Sequence, residues 1–237
     1  MPGSALKAGA RKLIFENFPK ILIISLLYIF LITVVSWLSF RLPGSINQQD
    51  ILNRIASGEV PGPGIIYTNF RPAGVFLALL LLLLQPALDV GYISYCLKIN
   101  RGQKTDYKDI FNGFLFPVKV ILLFITVTVL VLLWSLLLVF PGIVASYRYR
   151  LVFYILLDDP DKGILQCVTE SRLMMYGRKL DLFIIDLSFI GWYILDTLVL
   201  FLIPLPFMIP VISIWLSPYV GLTRVAFYED RIKNIAV

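Results

Sequence analysis

Long apolar runs alternate with short, polar, mostly basic stretches along this chain, and the alternation predicts helices of two kinds. Residues 21–40 hold about 20 positions without a charge, the length at which a helix crosses the hydrocarbon core of a bilayer. The run is too long for a signal-peptide core and lacks a convincing small-x-small cleavage pattern, so it is expected to remain as the first span. Further spans are predicted at 73–97, 118–140, 143–157, 180–203 and 210–227. The fold class is therefore all-α: a polytopic membrane helical bundle of about six spans, the fourth short after a Pro-Gly turn, forming one integral membrane domain over 1–237. Pro86 and Pro218 predict kinks in the second and sixth spans.

The second kind of helix is amphipathic and interfacial. In residues 1–20, Leu6, Ala10, Leu13 and Ile14 stand opposite Lys7, Arg11 and Lys12, as in a helix lying on a membrane face. Asp106 is expected to cap a short helix with Ile110, Phe111 and Phe114 on one side. A third such helix is predicted over 160–176, capped by Asp158 or Asp159, with Pro160 in its first turn, Gly177 closing it and Met174-Met175 facing the bilayer. On the opposite side of the membrane, the Ser45-Ile46-Asn47-Gln48 pattern predicts a short amphipathic helix ending at Gly58. Pro61-Gly62-Pro63-Gly64 predicts a rigid turn there, and Pro204-Leu205-Pro206 the turn between the last two spans.

The topology depends on whether the chain reverses at Pro141-Gly142. If it does, sixteen Lys and Arg fall on the inner side, in 1–20, 98–119, 158–179 and the tail from Arg224, against Arg41, Arg54 and Arg71 outside. If it continues straight, the count is nine against ten. The positive-inside bias favours the turn and puts both termini in the cytoplasm of a multi-pass cell-membrane protein.

Composition narrows the function. Hydrophobic residues make up 59% of the chain and charged residues 15%, far from soluble domains. The net charge of +6 would suggest nucleic acid in a soluble protein. Here the basic residues flank apolar runs, so the expected partners are the lipid bilayer and anionic lipid headgroups, with a membrane-protein partner or a homo-oligomer as further candidates and no nucleic acid. With no histidine, Ser-His and Cys-His catalysis and His-ligated metals are excluded. Cys96 and Cys167 are far apart and read as reduced and structural. No Gly-rich phosphate loop and no serine with a nearby base is visible, and Asp158, Asp159 and Asp161 read as a helix start rather than a metal set. The expectation is a non-enzymatic protein with no catalytic residue, metal or cofactor.

Ionisable residues inside the spans are the candidate site. At 1.5 Å per residue, Arg148 and Arg150 lie about 14 and 10 Å from the inner end of the fourth span, Asp89 about 12 Å and Asp186 about 9 Å on theirs. One such residue at a helix centre costs roughly 2.5–3.5 kcal/mol, so pairing across helices is expected: Arg150 with Asp186 and Arg148 with Asp89. Gln85 lies one turn from Asp89. Two readings are open. The layer is a structural staple joining three spans, or a polar cavity that receives an anion, a lipid phosphate or a proton. Asp181 and Asp196 are expected to be solvated at opposite ends of the fifth span, and Tyr147, Tyr149, Trp134, Trp192 and Trp215 to serve packing or the membrane interface.

The stretches Leu133-Trp134-Ser135-Leu136, Pro141-Gly142-Ile143, Phe153-Tyr154-Ile155-Leu156, Asp159-Pro160-Asp161, Glu170-Ser171-Arg172 and Leu187-Ser188-Phe189-Ile190-Gly191-Trp192 closely resemble the bacterial integral membrane proteins grouped as domain of unknown function 975. Asp109-Ile110-Phe111-Asn112-Gly113-Phe114 and the ending Ala226-Phe227-Tyr228-Glu229 extend the resemblance to nearly the whole chain. A looser similarity is to the membrane domain attached to some glycerophosphodiester phosphodiesterases. Neither resemblance supplies a catalytic residue. Together, these features predict binding of lipid or a membrane partner, in envelope maintenance or in protection against membrane-active peptides. The alternative is a small transporter or lipid-moving protein that uses the Arg/Asp layer.

Overall fold

In lipid a single chain segment satisfies its backbone most cheaply as a helix, even where it is rich in β-branched residues, and the computed structural model, which describes residues 2–41, 56–58, 72–202 and 210–235, is helical through most of them, with short turns between the helices. The expected capping-box helix and the two Pro-rich turns at 61–64 and 204–206 lie outside these, apart from residues 56–58. The elements are α1 (Gly3–Glu16), α2 (Lys20–Arg41), α3 (Pro72–Asn100), a 3-10 helix (Tyr107–Leu115), α4 (Pro117–Leu137), α5 (Val139–Arg148), α6 (Val152–Asp158), α7 (Ile164–Met174), α8 (Lys179–Leu187), α9 (Ile190–Leu202) and α10 (Val211–Ile235). Among the described residues, four stretches are long and apolar enough to cross a membrane: Lys20–Ser39, Pro72–Asn100, Pro117–Leu137 and Lys179–Val199, the last formed by α8 running into α9. Residues 143–157 are instead divided between α5 and α6, and α10 carries Arg224, Glu229, Asp230, Arg231 and Lys233 in its second half.

The chain forms two compact units, one of Met1–Phe30 with Pro86–Val237 and one of Leu31–Gln85. In the second, Val34, Trp37, Phe76, Leu79 and Leu82 are exposed, an all-round apolar surface suited to lipid. The first unit contains the ionisable residues of interest. Its core includes Ile14, Ile21, Tyr95, Ile110, Leu123, Ile155, Leu182 and Leu222, all nearly inaccessible.

The reversal expected at Pro141-Gly142 is present but sits slightly earlier. Leu138 is extended between α4 and α5, while Pro141 lies in the first turn of α5, where its missing N–H leaves no hydrogen bond unmade. Gly142 is the contact point of the hairpin: a Cβ there would come within 2.0 Å of Ser135 Oγ. At its far end, Lys119 near the start of α4 donates to the Pro160 carbonyl just beyond α6.

The returning arm breaks between Arg148 and Val152. Ser171, fully buried on α7, repairs the break: its hydroxyl donates to the Arg148 carbonyl (3.0 Å) and accepts from Leu151 N–H (3.3 Å). Helix α7 departs from its sequence expectation in three ways. Its N-cap is Gly163, whose N–H is bonded by the Gln166 side chain (2.9 Å). Asp158 and Asp159 are elsewhere, Asp159 accepting from Asp161 N–H in a local turn. Met174 and Met175 are buried in the protein, not turned to lipid. Gly177 does follow the helix with φ +71°.

Two further contacts shape the unit. The 3-10 helix is held by an Asp106–Asp109 capping box and meets α3 through reciprocal close approaches. A Cβ on Gly91 would lie 1.6 Å from the Ile110 carbonyl oxygen, and one on Gly113 1.9 Å from that of Ala87. The amphipathic α1 buries Leu6, Ala10 and Ile14 against α10 and α8, so its apolar stripe is spent within the protein rather than left for a membrane surface.

Candidate functional site

The expected polar layer is assembled from α2, α3, the α5–α6 break, α8 and α10, but with different pairings. Asp89, on α3, accepts a hydrogen bond from Tyr28 on α2 (2.8 Å). Tyr28 stacks on Tyr92 with ring centroids 4.2 Å apart, and the Tyr92 hydroxyl is hydrogen-bonded to that of Ser25 (2.9 Å). The apolar faces of α2 and α3 thus enclose a short polar ladder, and no arginine among the described residues is bonded to Asp89.

Asp186, on α8, pairs with Arg224 on α10. Arg224 Nε and Nη2 both lie 3.0 Å from Asp186 Oδ1, and the Tyr147 hydroxyl donates to Oδ2 (3.2 Å). Both oxygens are therefore engaged, and the side chains are only 15% and 25% exposed. A charge-assisted contact of this kind holds three elements together. Arg224, read from sequence as part of the inner tail, belongs to the layer because α10 continues without interruption through it, flanked by the buried Leu222, Thr223 and Val225.

The two arginines read as companions part company. Residues two apart on a helix point roughly 200° from one another, and the chain breaks immediately after the first. Arg148 turns toward α4, with its guanidinium 5.8 Å from the Trp134 ring and its buried Nε without a hydrogen-bond partner. The expected Arg148–Asp89 pair is absent. Arg150 turns to the other side, within electrostatic reach of Asp186, Arg224 and Asp89. It is exposed, and among the described residues it forms no hydrogen bond or ion pair, so the expected Arg150–Asp186 bridge is replaced by the Arg224–Asp186 pair. Gln85 falls at the end of the other unit.

Asp196 differs from expectation as well. It is 6% exposed and accepts from Ile212 N–H (3.0 Å) and from the Ser213 hydroxyl, capping the start of α10 instead of facing solvent. Asp181 is half-exposed and pairs with Arg178 (3.1 Å), as a solvated residue would.

Beyond the apolar stretches, a separate charged cluster is fully paired. Arg101 donates to both oxygens of Asp158 (2.8 and 3.0 Å) and through Nε to Glu229 (2.7 Å), and the Tyr228 hydroxyl also donates to Asp158 (2.7 Å). The hydrogen bond to Asp158 raises the guanidinium's affinity for its proton above the ordinary value. Lys98 pairs with Asp109 (2.6 Å) and Lys162 with Glu170 (2.7 Å), the latter contact raising the Lys162 pKa. Cys96 and Cys167 are buried and unbridged. Among the described residues no group of three or more His, Cys, Asp or Glu is placed to hold a metal.

Residues 119–235 match the family described as Protein of unknown function (DUF975). That span contains Arg148, Arg150, Asp186 and Arg224, while Tyr28 and Asp89 precede it. No curated protein matches the chain, and no solved structure does.

Proposed function

We propose that this chain, which belongs to the DUF975 family through residues 119–235, is a non-enzymatic membrane protein that binds anionic lipid, with Arg150 as the headgroup anchor. One observation carries the reading. In a layer where Asp186, Arg224 and Tyr147 satisfy one another, Arg150 is an exposed cation with no bonded partner among the described residues. An arginine among apolar helices is costly unless compensated, and a phosphate oxygen pair matches its fork. The like charge of Arg224 makes an incoming anion more favourable still.

The test is native mass spectrometry of the detergent-purified chain with phosphatidylglycerol and, separately, phosphatidylcholine. The anionic lipid is expected to bind more tightly, and Arg150→Gln to lose about tenfold in affinity, the scale of one hydrogen bond to a charged group. Arg148→Gln, on the other side of the arm, should keep the Arg150-dependent binding. Equal binding of the two lipids, or no change in Arg150→Gln, would overturn the proposal.

A second reading is movement of a lipid or small anion through the layer. It is favoured by Asp89 and Arg150 carrying opposite charges within electrostatic reach but without contact. Proteoliposome flux that is insensitive to both Arg150→Gln and Asp186→Asn would remove it. We propose a bacterial cell membrane as the location, with both termini cytoplasmic. Placing Arg224 in the layer still leaves fifteen basic residues against three across the proposed topology.

A further inference from the structure

Away from the polar layer, α1, α9 and α10 enclose a groove of about 340 Å³. Its walls are apolar and aromatic, with Phe15, Trp192, Trp215, Leu216 and Tyr219 lining it and Arg11 its one cation. Phe15 packs edge-on against Trp215, with ring centroids 6.3 Å apart. Arg11 donates through Nε to the Tyr219 hydroxyl (3.2 Å), with its guanidinium 5.8 Å from that ring's centroid. This contact orients the guanidinium and leaves its two terminal nitrogens without a partner among the described residues. The neighbouring carboxylate on α1, Glu16, pairs with Lys12 (3.8 Å). Lys7, one turn before Arg11, donates to the Ser188 hydroxyl and lies 4.6 Å from the Phe189 ring centroid. Burial, and then the charge of Arg11, push its pKa down.

We propose that this groove is a second phospholipid site, with the phosphate held by the terminal nitrogens of Arg11 and the glycerol end of the acyl chains laid against Trp192, Trp215 and Phe15. Two features select the occupant. Arg11 in the groove, with Lys7 one turn away and no carboxylate among the lining residues, calls for an anion, and an oriented guanidinium presents paired donors to a phosphate. The remaining wall is aromatic and aliphatic, which a free phosphate leaves uncovered and a lipid covers. Trp and Tyr are also the side chains that sit at headgroup level, where one end is apolar and the other wet. The inference goes beyond the Arg150 reading and uses none of its residues.

The experiment is native mass spectrometry of the full chain in detergent, titrated with phosphatidylglycerol and, in a separate arm, with inorganic phosphate. Wild type is expected to show two lipid-binding events. Arg11→Gln should weaken one of them about tenfold, as should Trp215→Ala, while Arg150→Gln leaves that event intact and weakens the other about tenfold. Arg11→Lys, which keeps the charge but loses the fork, should fall between wild type and Arg11→Gln. Unchanged occupancy in both Arg11→Gln and Trp215→Ala would overturn this site without touching the Arg150 proposal. So would inorganic phosphate competing with the lipid at equal concentration, because the apolar wall would then contribute nothing.

Discussion

Arg101 and Arg150 are opposite solutions to placing a cation near the apolar part of this protein. Arg101 spends three donors on two carboxylates and, with Tyr228 on the same Asp158, ties the end of α3 to the end of α6 and to α10. Arg150 spends none among the described residues, although Asp186 is within electrostatic reach, because Arg224 and Tyr147 already occupy that carboxylate. A saturated cation is a fastener. One left open beside a saturated pair is the candidate anchor for an anion proposed above, and that difference separates structure from candidate function here.

Asp186→Ala should cost about 3–5 kcal/mol, because it strands Arg224 among apolar neighbours, and a thermal melt in detergent would register it as the largest loss in the series. An Asp186→Ala variant as stable as wild type would mean the layer fastens nothing. Arg101→Ala is expected to cost less, roughly 1–3 kcal/mol, since its side chain is about a third exposed and partly screened. Raising the salt concentration should narrow that difference more than it narrows the Asp186 effect. Arg150→Gln should shift the melt least, by no more than about 0.5 kcal/mol, while losing anionic lipid. A large destabilisation by Arg150→Gln in lipid-free detergent would turn this arginine into a second fastener and erase the contrast.

The layer was legible as a depth, not as a set of partners. Asp89, Arg150 and Asp186 recur in it because apolar runs fix how far each residue stands from a helix end, and helical rise converts sequence offset into depth. Partner choice depends on helix rotation and on which face meets which neighbour. The break after Arg148 sends the two arginines to opposite sides, and no local pattern announces it, since Tyr149-Arg150-Leu151 contains neither proline nor glycine. Arg224 was hidden for a related reason: its position after Pro218 reads as the approach to a basic tail, whereas α10 runs on to Ile235 and keeps it inside. The burial of Met174, Met175 and Asp196 likewise depends on neighbours distant in the chain.

By itself, the sequence determined the all-helical class, four of its six expected spans as stretches long and apolar enough to cross a membrane, the Asp106 cap and the existence of a reversal near Pro141. These rest on composition, hydrophobic period and hydrogen bonding within a single segment. Only the tertiary structure decided that the reversal hinges on Leu138, that Asp186 belongs to Arg224, and that Arg148 lies over Trp134 while Arg150 is left open. An ion pair is selected by the geometry of two helices together, and side chains at equal depth still compete for the same carboxylate.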